Sequence, residues 1–215
     1  MKISYQILCK NEDESLTNLL TQLVENKREV DEINVCRDVT GENIKTKQVI
    51  KSFLGKVRHY EREIKHTIHE QKNWLATKAT GDYLFYLDAD ELLDPRLIKN
   101  VHKLIESNAK ADIFIFPRIN TVEGLTEEYT RERNWKIDEK GRINYPDWQD
   151  RLFKNRKGIR FKEVPHGRLI MEGKNYSFLP KEDSFYAILH HKTFEKQTSD
   201  NKWHDNKERQ MGLRK

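Results

Sequence analysis

An α/β fold with a doubly wound, mostly parallel sheet is predicted by three features of this 215-residue chain. Short apolar stretches alternate with amphipathic helical patterns over the first 117 residues, the order that builds β-α-β units. One stretch, Tyr83–Leu87, is apolar without alternation, as expected of a strand covered on both faces at the centre of a parallel sheet. Gly and Pro are few, 9 and 5 residues, and no repeat, linker or low-complexity run divides the chain.

The elements follow in order. Ile3 to Leu8 reads as a strand, and Asn11-Glu12-Asp13-Glu14 supplies a cap and an acidic first turn. Leu16, Leu19, Leu20, Leu23 and Val24 then recur at the spacing of one helix face. Glu32–Cys36 is a second strand, Ile50, Phe53 and Leu54 close a second helix, and Val57–Tyr60 is a weaker strand. A helix carrying Ile68, Leu75 and Ala76 ends near Ala79, stopped by Gly81. After Tyr83–Leu87, Asp94-Pro95 places an N-cap and a first-turn proline before the face formed by Leu97, Ile98, Val101, Leu104 and Ile105. Asp112–Pro117 closes the alternating half. Beyond it, strand-like pieces at Arg151–Lys154, Arg168–Met171, Tyr176–Leu179 and Phe185–Leu189 are separated by polar loops, and a helical stretch begins near Thr193. These pieces read as an extension of one sheet, so residues 1–215 form a single domain.

Composition narrows the function. Charged residues are 35% of the chain, which is polar, but aromatics at 10% with nine Phe argue against disorder. No run approaches the roughly 18 apolar residues of a membrane span, and the polar-interrupted start does not read as a signal peptide. A soluble, cytoplasmic protein is expected. Cys9 and Cys36 read as buried thiols. The net charge of +5 is concentrated between Arg131 and Lys174, where 13 Lys and Arg stand against 7 Asp and Glu. Such a segment suits an anionic partner, a nucleoside diphosphate, a phosphorylated glycan or nucleic acid, and is also compatible with an ordinary solvated face.

Asp88-Ala89-Asp90-Glu91 follows directly on the most apolar strand, where open α/β sheets bind ligands. If the segment stays extended, Asp88 and Asp90 project to one side, and small Ala89 lets a ligand approach the backbone between them. Clustered acids repel unless a cation neutralises them, and Mg²⁺ or Mn²⁺ matches an oxygen-rich site completed by substrate phosphates. An Asp-x-Asp alone is common by chance; its position gives it weight. An EF-hand beginning at Asp88 fails, because its sixth and twelfth places hold Leu93 and Lys99. Neither a dinucleotide-binding glycine fingerprint nor a P-loop is present, so phosphates would have to be held by metal and basic side chains.

Several ordered blocks resemble the family-2 glycosyltransferases of the GT-A fold, most of all the short bacterial and phage members related to lipopolysaccharide-core glucosyltransferases. Leu8-Cys9-Lys10-Asn11-Glu12 is similar to the family's nucleoside-contacting turn, and Val35-Cys36-Arg37-Asp38 to its second strand, whose terminal Asp contacts the base. The run after it is degraded to Val39-Thr40-Gly41-Glu42-Asn43. Gln71-Lys72-Asn73-Trp74 resembles the family's helix before its acidic block, and Ala79 through Glu91 is similar to that block almost residue for residue. Pro117-Arg118-Ile119-Asn120, Tyr145 through Phe153 and Leu189-His190-His191-Lys192 are similar to further elements of the family, whereas Val164-Pro165-His166-Gly167 departs by losing an acid.

The resemblance implies a metal-dependent, inverting transfer of a sugar from a UDP- or GDP-linked donor to an acceptor hydroxyl, on a cell-surface or lipid-linked glycan or a hydroxylated DNA base, in a bacterial or phage-infected cell. It divides the chain into a nucleotide-binding half, 1–117, an acceptor half, 118–192, and a helical tail, 193–215. Lys10, Asn11, Glu12, Asp38, Lys72, Asp88, Ala89, Asp90 and Arg151 are then donor-binding, with Lys72 and Arg151 countering the diphosphate. Asp90 and His190 are metal ligands, holding Mn²⁺ or Mg²⁺. Asp147 is expected as the general base, with Asp150 and Glu163 as rivals, and Trp148 as a ring that stacks on sugar or base or packs in the core. A non-catalytic sugar- or nucleic-acid-binding module on the same scaffold and a nucleotidyltransferase are the competing expectations.

Overall fold

In the computed structural model, described for residues 1–41, 43–64, 68–156, 158–162, 169–170 and 173–210, the strands are β1 (Ile3–Cys9), β2 (Glu32–Asp38), β3 (Arg58–Arg62), β4 (Tyr83–Asp88), β5 (Glu91–Leu92), β6 (Ile113–Glu123), β7 (Ile143–Lys154), β8 (Tyr176–Phe178) and β9 (Ile188–Thr193). The helices are α1 (Glu14–Asn26), α2 (Ile44–Ser52), α3 (Ile68–Ala76), α4 (Pro95–Ser107), α5 (Glu127–Glu132) and α6 (Phe194–Gln210). All nine strands join one sheet in the order β3-β2-β1-β4-β7-β6-β9-β5, with β8 beside the start of β6. The pairs β3-β2, β2-β1 and β1-β4 are parallel, β7 runs antiparallel to both neighbours, and β6-β9 is parallel again. Both halves of the chain therefore share a single sheet.

Two apolar clusters cover its faces. The larger gathers Leu16, Leu19, Leu20 and Leu23 of α1 and Leu97, Ile98, Val101 and Ile105 of α4 against Ile3, Tyr5, Phe85, Leu87, Phe114 and Phe116. Those helix positions are the i, i+3, i+4, i+7 rows read from the sequence, because a helix buries one stripe of its surface. The smaller cluster sets Ala76 of α3 over Leu84, Tyr86, Ile113, Ile115 and Phe153, with Phe161 and Leu169 closing it. Alternate residues of β4 thus reach both clusters, which is why that strand shows no polar alternation.

Termini and turns follow local chemistry in part. Asp94 accepts a hydrogen bond from Arg96 N at 2.8 Å, and Pro95 opens α4. The cap expected for α1 is different: Asp13 is helical in backbone and makes no side-chain cap, and it accepts Thr46 Oγ1 at 2.7 Å instead. Gly81 lies where a Cβ would stand 2.8 Å from Ser4 N and 2.9 Å from Lys2 O, so the chain entering β4 comes this close to β1 only because that atom is missing. Phe185 and Tyr186, expected in a strand, form a short 3₁₀ turn before β9. The strand expected at Arg168–Met171 lies partly outside the described residues; Leu169 makes an isolated bridge with Phe161. Cys9 and Cys36 are free, buried thiols. Among the described residues no helix is long and apolar enough to cross a membrane.

Candidate active site

The site grows from the carboxyl end of β4. Its extended conformation stops at Asp88, the backbone turns through Ala89–Asp90, and Glu91–Leu92 re-enter the sheet as β5. That turn separates what an extended segment would have brought together. Asp88 turns to a set of arginines, whereas Asp90 turns to β9. The separation depends on β5, which pairs antiparallel with β9 and sets Glu91 opposite His190. His190 Nε2 stands 3.4 Å from Asp90 Oδ2, and Lys192 Nζ stands 3.4 Å from the same oxygen while donating to Asp200 Oδ2 of α6 at 2.7 Å. Burial pushes the Asp90 pKa up, but His190, when its ring is protonated, and Lys192 outweigh it and hold the carboxyl at about 2.

Around Asp88 the charges alternate. Arg151, whose side chain is only 5% exposed, donates through Nη2 to Asp88 Oδ2 and to Glu91 Oε1, both at 2.6 Å. Glu91 is fully buried; it also accepts Arg118 Nη1 at 2.9 Å and the Asp88 N–H at 3.0 Å. Desolvation by the surrounding chain would raise the Asp88 pKa, yet Arg151, Lys72 and Arg118 hold it well below the carboxylate range. Lys72, on α3, is buried with its ammonium 4.9 Å from the Phe161 ring centre. Burial pushes its pKa down, and Asp88 pulls it part of the way back.

Asp147 lies on β7, in the middle of a strand where the sequence suggested a polar loop. Its Oδ2 accepts Arg118 Nε at 2.9 Å, Arg118 Nη2 at 2.7 Å and Asn120 Nδ2 at 2.9 Å, and its Oδ1 accepts Gln149 Nε2 at 2.8 Å. Burial would raise its pKa, but Arg118, Asn120 and Gln149 lower it on balance. Both oxygens of the carboxylate expected as the general base are thus engaged within the protein. Asp150 is placed differently. It pairs with Ile115, a member of the cluster beneath α3, and so shares the face of Leu84 and Tyr86. Its Oδ2 accepts Leu169 N at 2.9 Å. Glu163 and residues 164–167 lie outside the described residues. Trp148 is 37% exposed and meets Phe178 edge-on at 4.9 Å.

At the other end, Lys10 and Asp38 stand at the tips of neighbouring strands β1 and β2, with Lys10 Nζ 3.2 Å from Asp38 Oδ2. Asp38 Oδ1 accepts Thr40 N, Thr40 Oγ1 and Ile64 N; burial pushes its pKa up, and these bonds with Lys10 pull it lower. Glu12 folds back to accept Lys10 N at 2.7 Å and Asn11 N at 3.0 Å, so it holds the turn's own backbone. Asn11 is exposed beside it.

The profile of Glycosyl transferase family 2 matches residues 4–174, well over half of the sequence. The chain belongs to that family. Its fold is that of the GT-A glycosyltransferases. TarS of S. aureus superposes with a TM-score of 0.59 at 14% identity over 89% of this chain and 37% of its own. A 1–349 form of TarS in complex with UDP-GlcNAc gives 0.54 at 13% identity over 86% and 60%. A mannosyltransferase from Pyrobaculum calidifontis, in complex with GDP-Man and Mn²⁺, gives 0.56 at 15% identity over 87% and 56%. The present chain thus spans less than two thirds of each of these structures. No curated relative matches the sequence.

On this family-2 scaffold, four residues without an expected role occupy the centre: Glu91, Arg118, Asn120 and Lys192. Each sits inside a block that carried the family resemblance, so the signal was present as a motif. The charge partners were not, because they depend on which strands become neighbours.

Proposed function

We propose that this chain transfers a glycosyl group from a UDP- or GDP-linked sugar to an acceptor hydroxyl, with inversion at the anomeric carbon. The observation that carries the reading is the meeting of Asp90 and His190 beside Asp88 at the carboxyl end of the central strand, the place where open α/β sheets take ligands. It is supported by the fold shared with TarS and the mannosyltransferase, whose structures hold UDP-GlcNAc and GDP-Man with Mn²⁺.

The donor set fits a hard divalent ion. Mg²⁺ and Mn²⁺ are held by one or two protein ligands together with water and substrate phosphates. One carboxylate and one imidazole suit that count, and among the described residues no third His, Cys, Asp or Glu completes a cage. Bound there, the ion would supply positive charge to the diphosphate. Lys192 adds a second positive charge at Asp90, and Arg151 keeps Asp88 ionised and oriented by donating to it. Lys10, Asn11 and Asp38 form the nucleoside end, on the tips of β1 and β2.

In the transfer, the acceptor oxygen bonds to the anomeric carbon while the bond from that carbon to the diphosphate breaks, its electron pair leaving with the diphosphate. The acceptor proton passes to a base on the acceptor side. Asp150 takes that role in this reading, since it shares the sheet face of β4 residues Leu84 and Tyr86 and among the described residues accepts only one hydrogen bond, on Oδ2 from Leu169, whereas both oxygens of Asp147 are engaged by Arg118, Asn120 and Gln149. The acceptor is a glycan, a lipid-linked glycan or a hydroxylated base.

The test is release of UDP or GDP from a panel of UDP- and GDP-sugars with Mn²⁺. The expected result is slow hydrolysis lost in Asp90→Ala and on chelation, with acceptor transfer lost in Asp150→Asn. Turnover that survives Asp90→Ala overturns the reading. Sugar or DNA binding without turnover, indifferent to Asp90 and to metal, identifies a binding module instead.

A further inference from the structure

We infer that Asp147 is a positioning residue, which through Asn120 orients the His190 ring so that Nε2 offers its lone pair toward Asp90. The inference rests on the reading of Asp90 and His190 as metal ligands. It gives Asp147 a task other than proton transfer.

The chain of constraint runs across three strands and is set by register. On one side of β6, Arg118 pairs directly with Asp147; on the other, Asn120 pairs directly with His190. A carboxylate only accepts hydrogen bonds, so Asn120 must turn its NH₂ toward Asp147, 2.9 Å away. That contact decides an amide orientation that an isolated asparagine leaves open. Asn120 Oδ1 then faces His190 Nδ1 at 2.7 Å. A carbonyl oxygen also only accepts, so Nδ1 carries the hydrogen. In the neutral ring the lone pair is therefore on Nε2.

Nε2 stands 3.4 Å from Asp90 Oδ2. With no hydrogen on Nε2, two lone-pair-bearing atoms face each other across a gap that a cation closes. In an octahedral shell with bonds of about 2.1 Å, adjacent ligand atoms stand about 3.0 Å apart, so the pair needs little movement to share an ion. Metal-binding histidines characteristically donate their other N–H to a fixed acceptor, which sets tautomer and ring orientation. Here the acceptor is Asn120, and Asp147, pinned by Arg118 and Gln149, keeps it in place.

The test reads the ring directly. In metal-free protein labelled with ¹⁵N-histidine, NMR at a pH where the ring is neutral should show the His190 hydrogen on Nδ1, the signal being assigned by its loss in His190→Gln. Asp147→Asn, whose new amide can donate to Asn120 and turn it, should populate the Nε2–H form. Asn120→Ala should do the same while leaving the Arg118–Asp147 pair intact, and it decides the matter if Asp147→Asn does not fold. Mn²⁺ affinity in the presence of UDP or GDP, followed by electron paramagnetic resonance, should weaken by about 10–100-fold in both variants. An Nδ1 hydrogen retained in both, with unchanged Mn²⁺ affinity and turnover lost only in Asp147→Asn, overturns the inference and returns Asp147 to the base. A wild type that binds no Mn²⁺ with either nucleotide counts against the proposed metal site, while the nitrogen signals still decide the orienting role.

Discussion

Replacing Arg151 by Met removes the positive charge that ties Asp88 to Glu91. In the native cluster three cations, Arg151, Arg118 and Lys72, stand among three carboxylates, Asp88, Glu91 and Asp147. Arg151→Met leaves this buried group one negative charge in excess. Breaking a buried pair by deleting one partner costs about 3–5 kcal/mol, because the other charge remains desolvated. Glu91 keeps Arg118 at 2.9 Å and the Asp88 N–H at 3.0 Å, and the Asp88 side chain is 41% exposed and can hydrate. The lower end, about 3 kcal/mol, is therefore expected. For a chain of this size that corresponds to a fall in Tm of about 6–12 °C. The assay is urea and thermal unfolding followed by circular dichroism, with the urea m-value unchanged. Arg151→Met combined with Glu91→Met restores charge balance and should recover most of the loss, since apolar side chains often replace a buried ion pair without penalty. A single variant within about 0.5 kcal/mol of wild type refutes the electrostatic account, and so does a double variant less stable than the single.

Three further outcomes follow from the packing. Burial pushes the Glu32 pKa up, but hydrogen bonds from Lys2, Ser4 and Thr80 outweigh it and lower the group from 4.5 to about 2. Its contribution is thus complete above pH 4.5 and lost as pH falls toward 2, about 2 kcal/mol after allowing for the exposed Lys2 and Arg58 partners; Glu32→Gln should flatten that part of an acid titration of stability, and an unchanged slope contradicts the assignment. Gly81→Ala should destabilise by about 1–3 kcal/mol, measured by urea unfolding, because the new methyl meets backbone atoms of Lys2 and Ser4 that cannot move aside. Burial raises the Cys36 thiol to about 11 and that of Cys9 further, so neither should react with a thiol reagent at pH 8 until the protein is unfolded; rapid native labelling would show that β1 and β2 open locally.

What the sequence by itself determined was the set of elements that are local. The four leucines of α1 and the apolar row of α4 are buried as their spacing demands, and Asp94-Pro95 opens α4 as written. The uninterrupted β4 lies between two strands with a cluster on either face, and the family blocks along the chain named the family. Spacing within one element records which face is apolar, and that is enough to place it in a layer. Strand order is a different quantity. Only the folded sheet decided that β7 would run antiparallel beside β4, that β5 would leave the turn after Asp88 to pair with β9, and that Asn120 would stand between Asp147 and His190. Each of those contacts joins residues 27 or more positions apart, at distances where a one-residue slip in register would turn the side chains to the opposite face. Hydropathy carries no record of that register, so the sequence could name Asp90, His190 and Asp147 without saying which of them would meet.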